Sequence, residues 1–231
     1  MNEPRPPTPA AAQPTDWPKL PNRLLTAVLG GLSLIGIALS AWLAVQPGAE
    51  KAQTGLVRWF NHPPQPIAAV FAVVNPFLRP VPLLVIAVVL MLWVLIISPG
   101  KRHRLEVIRA LLVSLILAEL LSQGLKHVAN QARPLEVIAD LDTHGYPTSP
   151  RGNAYPSAHT ALAVAAVCAL WPWMRWPQRI AGLALAVFTA CNRIYIGAHW
   201  PIDVVGGIAI GLLSGVISWL IAARWPIRRG L

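Results

Sequence analysis

Charged residues are scarce in this sequence of 231 residues, and that scarcity excludes an ordinary soluble domain. Only 12% of the residues are charged and 55% are hydrophobic, whereas a soluble domain has about 25% charged residues. Several uncharged runs approach the roughly 20 residues that a helix needs to cross a bilayer. The composition therefore predicts an all-α polytopic membrane protein.

Cysteine and acidic residues are also few, with two Cys and nine Asp and Glu together. Cys168 and Cys191 both lie inside apolar runs, so we expect small buried core residues rather than a disulfide or a metal site. No cluster of Asp and Glu of the kind that binds Mg²⁺ is present. The N-terminal residues lack the basic, apolar and small-residue order of a cleaved signal peptide. The sequence thus contains neither a metal-binding nor a secretory pattern.

A net charge of +10 would by itself suggest a nucleic-acid partner. The basic residues, however, fall mainly at the ends of apolar runs, where they orient a membrane protein. We therefore expect membrane lipids around the chain and no nucleic acid.

Six apolar segments are predicted to cross the membrane as helices in one bundle domain, residues 22–223. The predicted spans are 24–45, 80–98, 107–128, 157–173, 180–195 and 201–223. Residues 1–21 carry seven prolines and predict a disordered cytoplasmic tail, and residues 224–231 form a basic cytoplasmic tail. Residues 50–77 contain an apolar run too short to span, which indicates an interfacial or re-entrant segment.

Six spans put both termini on one side of the membrane, and the distribution of basic residues makes that side cytoplasmic. The opposite, periplasmic face then receives the end of span three, the start of span four and the turn between spans five and six. The unusual polar residues of the chain are concentrated at these three places. We expect them to converge at the outer face of the cytoplasmic membrane.

The converging residue types suit phosphoryl transfer. Lys126, Arg133 and Arg193 supply three cations, and arginine matches phosphate oxygens in a forked geometry. Ser157 follows Pro156 at a helix start, where a hydroxyl and free N–H groups bind anions. These residues predict a phosphate site that needs no metal ion.

The turn at 192–203 adds an imidazole and a carboxylate to these cations. Pro201 is a suitable first residue of a helix, which puts Asp203 at the third helical position, within reach of His199. A carboxylate on one imidazole nitrogen fixes the tautomer and leaves the other nitrogen free to attack. His159 would complete a nucleophile and acid pair. By itself this turn is equally compatible with a polar loop in which Asp203 only caps a helix.

Together these residues resemble the three motifs of the type 2 phosphatidic acid phosphatase superfamily, which contains the lipid phosphate phosphatases and the vanadium haloperoxidases. Their spacing is intact in Lys126-x6-Arg133-Pro134, Pro156-Ser157-Ala158-His159 and Asn192-Arg193-x5-His199-x3-Asp203. Ala158 replaces the usual Gly and Asn192 the usual Ser. Neither change removes a residue assigned to chemistry, and Ala158 is expected to alter the shape of the pocket.

The resemblance implies an integral membrane phosphatase that acts on a lipid phosphate without metal or other cofactor. It implies that His199 attacks phosphorus to form a phosphohistidine, that Asp203 orients His199, and that His159 protonates the leaving group. The phosphate oxygens would be held by Lys126, Arg133, Ser157 and Arg193. A polyprenyl diphosphate such as the undecaprenyl carrier, or a phosphatidylglycerophosphate-type lipid, would be the substrate.

Two other functions remain open from the sequence. A phosphotransferase would pass the phosphate from the phosphohistidine to another lipid or sugar head group. A non-catalytic membrane protein could keep the fold, but it would be expected to lose histidines or cations that are all present here. A haloperoxidase is less favoured because those relatives are soluble.

Several polar residues outside the motifs allow two interpretations each. The long loop contains His144 and the acids Glu136, Asp140 and Asp142, which either form a lid or substrate selector or are simply solvated. Glu119 is either functional or the buried partner of a neighbouring helix. Tyr195 and Trp200 either contact the lipid or anchor the chain at the membrane interface.

Overall fold

The computed structural model describes residues 21–78, 101–145 and 153–225, with a few isolated positions between 88 and 96. Within these ranges the chain forms eight α-helices and no strand, which confirms the all-α class. The helices are α1 (Arg23–Ala44), α2 (Ala49–Asn61), α3 (Gln65–Val74), α4 (Lys101–Ala129), α5 (Pro134–Val137), α6 (Ala158–Leu170), α7 (Trp176–Tyr195) and α8 (Pro201–Arg224). Short 3₁₀ turns, Asn75–Leu78 and Trp171–Trp173, follow α3 and α6.

Five of the six predicted spans correspond to helices α1, α4, α6, α7 and α8. Most of the predicted second span at 80–98, the tail before residue 21 and the residues after 225 lie outside the described residues. Among the described helices, α1 and α8 are long and apolar enough to cross a membrane by length and composition. The count of six spans therefore stays a prediction.

Helix α8 packs against α1, α4 and α6 and forms the centre of the described bundle. Its Gly207, Gly211 and Gly215 face α6, as the four-residue spacing of small residues indicates. A Cβ atom at Gly207 would lie 2.6 Å from the carbonyl oxygen of Ser157, and one at Gly211 would lie 2.6 Å from that of Ala161. The backbones of α6 and α8 can approach this closely because glycine has no side chain.

Tyr155 fixes the segment before α6 between α1 and α8. Its ring is fully buried. A Cβ atom at Gly206 would lie 2.6 Å from Cε2 of this ring, so the ring occupies the space that a larger residue would need. Its hydroxyl lies 2.9 Å from the hydroxyl of Ser40 and 3.3 Å from the carbonyl oxygen of Ile37, both on α1. Burial raises the pKa of this phenol, so it remains a neutral hydrogen-bonding group.

Helices α2 and α3 account for most of the predicted interfacial segment. Gln53 of α2 accepts a hydrogen bond from the backbone N–H of Ile202 across 2.8 Å, so α2 is fixed to the first turn of α8. The interfacial position of these helices stays a prediction.

The two ends of the bundle differ in their polar contacts. At one end Arg109 of α4 pairs with the buried Glu106 and donates to the carbonyl of Trp225, just beyond α8. The start of α4 and the end of α8 therefore lie together. The end of α4 and the start of α8, which carry motif residues, lie at the opposite end.

Candidate active site

The turn between α7 and α8 is buried and contains the pair His199 and Asp203. Their exposed fractions are 3% and 0%, and Nδ1 of His199 lies 3.4 Å from Oδ2 of Asp203. The same Oδ2 accepts the backbone N–H of Trp200 across 2.8 Å. Asp203 is the third residue of α8 after Pro201, as predicted, and therefore both caps the helix and faces the imidazole.

Arg133 joins the end of the first motif to this turn. It is 4% exposed, and its Nη1 donates to the carbonyl of Ala198 across 2.9 Å. The backbone N–H of Leu135 donates to the carbonyl of Gly197 across 3.2 Å. Gly197 has a φ of +65°, and a Cβ there would lie 2.8 Å from Cγ of Leu135. Only glycine combines this backbone conformation with so close an approach.

Lys126 joins the end of α4 to the second motif. Its Nζ donates to the carbonyl of Asn153 across 3.3 Å, and the Asn153 amide donates to the carbonyl of Lys126 across 2.6 Å. The backbone N–H of Ala154 then donates to the carbonyl of Gln131 across 2.8 Å. The first and second motifs therefore lie side by side.

Ser157 and His159 stand at the start of α6. The backbone N–H of Ser157 donates to the carbonyl of Asp203 across 3.0 Å, which joins the second motif to the third. Its buried hydroxyl lies 3.0 Å from that of Thr160. His159 is half-buried in the first turn, within electrostatic range of Arg193, Lys126 and Arg133.

Arg193 lies in the last turn of α7 and is 5% exposed. Its carbonyl accepts the backbone N–H groups of both Ala198 and His199, each across 3.1 Å. The backbone of Arg193 thereby shapes the turn, while its guanidinium adds a buried positive charge.

The surroundings of His199 favour its neutral form. Burial first, and then the positive charges of Arg133, Arg193, Lys126 and His159, hold the pKa of His199 well below its ordinary value of 6.5. A neutral imidazole that faces a carboxylate through Nδ1 keeps its lone pair on Nε2, at the other side of the ring. Such a nitrogen can act as a nucleophile.

All seven predicted site residues are thus at one end of the bundle. They are Lys126, Arg133, Ser157, His159, Arg193, His199 and Asp203. Within the described ranges, no three His, Cys, Asp or Glu side chains approach closely enough to hold a metal ion. Among the seven residues, Lys126, Arg133 and Arg193 bring positive charge to this end.

The structure corrects the interpretation of two aromatic residues. Trp200 has no exposed surface, and its Nε1 donates to the carbonyl of Ala132 across 2.8 Å. Tyr195 is 5% exposed and stacks between Phe71 and His144, with ring centroids 4.6 and 3.9 Å away. Lipid contact or interfacial anchoring is therefore wrong for both, because each side chain is packed inside the protein.

Two of the loop residues make contacts inside the protein that simple solvation does not provide. His144 is half-buried in the stack with Tyr195, and Glu136 accepts the backbone N–H of Arg133 across 2.9 Å. Asp140 remains exposed, in an ion pair with Arg58 at 3.0 Å. Glu119 lies on α4 and accepts a hydrogen bond from Gln123 on the same helix across 2.6 Å. This contact therefore does not join Glu119 to a neighbouring helix.

Asn61 is the residue that sequence reasoning missed. It is 1% exposed, and its amide donates to the carbonyls of Asp142 and Tyr195 across 2.8 and 2.7 Å. Its Oδ1 accepts the backbone N–H of Asp142 across 2.8 Å, and its carbonyl lies 2.9 Å from Nε2 of His144. Asn61 thus fixes the loop to α2 and to the last residue of α7, just before the turn that contains His199. No motif or periodicity marks it, because its partners are distant in sequence.

Comparison with known proteins gives the class of this fold and site. The PAP2 superfamily model matches residues 108–226, more than half of the chain. The chain belongs to the PAP2 superfamily.

Two curated relatives extend the comparison. An undecaprenyl-diphosphatase of Sulfolobus acidocaldarius is 31% identical over 120 residues, which cover 52% of this chain and 57% of that protein. The chain thus spans little more than half the length of this relative. A putative undecaprenyl-diphosphatase of Escherichia coli K12, YbjG, is 28% identical over 159 residues, covering 68% of this chain and 75% of that protein.

A solved structure shares the fold. The transmembrane PAP2 type phosphatidylglycerolphosphate phosphatase of Bacillus subtilis superposes with a TM-score of 0.62. The superposition covers 89% of this chain and 98% of that one, at 20% identity. At this identity the likeness describes the fold alone.

Proposed function

We propose that this chain is a metal-independent phosphatase that hydrolyses a membrane lipid phosphate or diphosphate through a phosphohistidine at His199. The observation that carries the proposal is the buried pair of His199 and Asp203 among three cationic side chains. Family membership supports the reaction class, and both curated relatives described above are named diphosphatases.

In the first step, Nε2 of His199 attacks phosphorus and the bond from phosphorus to the leaving oxygen breaks. His159 donates its proton to that oxygen. A lipid monophosphate then releases an alcohol, and a lipid diphosphate releases a lipid monophosphate. Asp203 accepts a hydrogen bond from Nδ1 and stabilises the positive charge that develops on the imidazole. The pair lies at 3.4 Å in the free protein, and catalytic hydrogen bonds of this kind shorten when substrate binds.

In the second step, water attacks the phosphorus of the phosphohistidine, and the P–N bond breaks. His159, now neutral, accepts a proton from this water. Inorganic phosphate leaves and His199 returns to its neutral form. The low pKa of His199 supports the first step because the imidazole is an unprotonated nucleophile at neutral pH.

The negative charge on the transferring phosphoryl group would be held by Lys126, Arg133 and Arg193. Preorganised charges in a water-poor site stabilise such a group without reorganisation. Ser157 would turn its hydroxyl from Thr160 toward a phosphoryl oxygen, at the N-terminus of α6.

A polyprenyl diphosphate is the first candidate substrate. The names of the curated relatives favour it. A phosphatidylglycerophosphate-type lipid is the second candidate, and the likeness to the Bacillus protein supports only the fold. The apolar chain would stay in the bilayer while the phosphate enters the site from the interface.

We place the protein in the cytoplasmic membrane, with both termini cytoplasmic and the active end outside. The distribution of basic residues supports this orientation. Cysteines introduced singly at exposed Asp140 and at exposed Arg224 would test it in intact cells. A membrane-impermeant maleimide should label only the first, and the reverse pattern would contradict the orientation.

Phosphate release from purified protein is the primary test. Polyprenyl diphosphates and monophosphates, lipid A-type sugar phosphates and phosphatidylglycerophosphate are offered with and without chelator. Release that persists in chelator is expected. Complete dependence on added Mg²⁺ would contradict the mechanism.

The intermediate and the acceptor are tested with ³²P-labelled donor. Label on the protein that survives base and is lost in acid, and that is absent in His199→Gln, identifies the phosphohistidine. Hydrolysis predicts that the label ends as free phosphate. A phosphotransferase would instead produce a labelled lipid or sugar, an outcome that the names of the relatives do not favour.

A further inference from the structure

A groove lies between α1 and α8, the two described helices that are long and apolar enough to cross a membrane. Its volume is about 790 Å³, within the roughly 300–1,000 Å³ of typical ligand sites. The lining includes Arg23, the first residue of α1, and Arg224, the last residue of α8. The groove therefore begins at the end of the bundle opposite the active site.

The length of the groove matches one leaflet of a bilayer. On α8 the lining extends from Leu213 to Arg224, which is a rise of about 16 Å at 1.5 Å per residue. The hydrocarbon core of a bilayer is about 30 Å thick, so one leaflet contributes about 15 Å. A chain that fills the groove from its mouth would therefore reach about the middle of the membrane.

Small residues on α1 leave room for such a chain. Gly30 and Gly31 line the groove about two helical turns after Arg23. A Cβ atom at Gly31 would have no atom within 4 Å, so the groove is open at this position. The hydroxyl of Thr26, a polar group of the lining, donates to the carbonyl of Asn22 across 2.9 Å. Below the arginines the groove thus suits an alkyl chain.

The two arginines give the mouth of the groove a positive charge. Both side chains are exposed, and no ion pair joins either of them to a carboxylate in the described part of the chain. A guanidinium matches phosphate oxygens in a forked geometry. Basic pockets between the ends of membrane helices attract anionic lipid head groups. Two cations above an apolar groove of one leaflet's depth therefore match an anionic phospholipid.

We propose that this groove binds an anionic phospholipid, whose phosphate contacts Arg23 and Arg224 and whose acyl chain lies between α1 and α8. The site is separate from the active site, and the proposal does not depend on the phosphatase activity. In the orientation proposed above, the lipid belongs to the inner leaflet. Because the lipid contacts both helices in their folded arrangement, its binding stabilises the folded protein.

The test measures lipid binding to the delipidated full-length protein in detergent by native mass spectrometry, together with the unfolding temperature. Phosphatidylglycerol should bind more tightly than phosphatidylcholine and should raise the unfolding temperature more. The double variant Arg23→Gln, Arg224→Gln should bind phosphatidylglycerol roughly 25-fold more weakly, since each basic residue near a membrane surface contributes about fivefold in affinity. Its binding of phosphatidylcholine should not change.

Two arginine variants serve as matched controls. Arg175 is exposed just before α7, at the same end of the bundle, but does not line the groove. Arg193 belongs to the active site at the opposite end. Arg175→Gln and Arg193→Gln should therefore both bind phosphatidylglycerol as the wild type does, which separates the groove from general charge attraction and from the active site.

A third variant, Gly31→Leu, tests the apolar part of the groove. The leucine side chain would occupy the space of the acyl chain and should weaken phosphatidylglycerol binding at least tenfold. The lipid-free variant should unfold at the wild-type temperature or higher, because leucine favours a helix more than glycine does.

Several outcomes overturn the proposal. Equal affinity of the wild type for the two lipids is one, and unchanged binding in the double arginine variant or in Gly31→Leu is another. A loss in Arg175→Gln or Arg193→Gln as large as in the double variant would place the lipid elsewhere. Binding that appears only after residues 1–20 are removed would show that the chain's own tail occupies the groove. A wild-type dimer that Gly31→Leu converts to a monomer would show that a second copy does. Phosphate release tests the proposed function separately from all of these outcomes.

Discussion

The backbone N–H of Ser157 donates to the carbonyl of Asp203 across 3.0 Å, from the cap of one helix to the first turn of another. This bond joins the backbone of the residue with the proposed phosphate-binding hydroxyl to the backbone of the residue whose carboxylate faces His199. It forms because α6 and α8 approach each other at Gly207, where any larger residue would collide with the Ser157 carbonyl. Packing in the bundle and geometry in the site are therefore coupled.

Gly211→Ala should lower both stability and activity. The new Cβ would lie 2.6 Å from the carbonyl oxygen of Ala161 on α6, so the two helices must separate. Overpacking of this kind costs about 1–3 kcal/mol, and thermal unfolding in detergent measures it. Gly31→Ala is the control, since no atom lies within 4 Å of its Cβ position, and it should stabilise α1 by roughly 0.5–1 kcal/mol. Equal unfolding temperatures for the two variants would contradict close packing.

Asp203→Asn should reduce kcat by about 10²–10⁴-fold, in line with loss of the orienting carboxylate in other catalytic pairs. Asparagine can still accept the N–H of Trp200, so the cap of α8 and the unfolding temperature should change little. Phosphate release under saturating substrate measures the effect. Asp140→Asn, at an exposed carboxylate, is the matched control. Retention of more than a tenth of wild-type kcat in Asp203→Asn would argue against the role of Asp203.

The contribution of His199 to stability should fall as pH decreases below about 6.5. The pKa of His199 in the folded protein lies below this ordinary value, so the unfolded chain binds a proton that the folded chain does not. Unfolding is therefore favoured progressively from pH 6.5 downward, and His199 contributes no pH dependence above it. Unfolding temperatures between pH 7.5 and 5.0, followed by tryptophan fluorescence, measure the slope.

The matched comparison uses two histidine variants. His199→Gln should show a shallower decrease than the wild type, whereas the exposed His62→Gln should keep the wild-type slope. Identical slopes for His199→Gln and the wild type would show that another group controls the acid sensitivity.

Asn61→Ala should destabilise the protein by about 2–3 kcal/mol, because three side-chain hydrogen bonds are lost and buried backbone groups are left unpaired. Activity should fall as well, since Asn61 holds the carbonyl of Tyr195 near the catalytic turn. Gln46→Ala removes a half-buried amide just beyond α1 that bonds only the carbonyl of Trp42 four residues earlier, and it should change neither property. A similar small effect for both variants would contradict the bridging role of Asn61.

Much of the fold follows from local features of the sequence. Apolar runs predicted the helices that became α1, α4, α6, α7 and α8, because a membrane span must be both apolar and long. Pro201 predicted the start of α8, and this start in turn placed Asp203 beside His199. The four-residue spacing of Gly207, Gly211 and Gly215 is typical of a face for close helix packing, and in the structure this face packs against α6.

The sequence by itself indicated the membrane class, the helices and the seven residues that we propose for the chemistry, since each rests on composition or short spacing. The tertiary structure alone decided which groups surround them. Asn61 and Tyr155 became anchors through partners about 80 to 130 residues away. Trp200 and Tyr195 became buried because neighbouring segments cover them. Such features arise from contacts between distant segments, and no local pattern carries them.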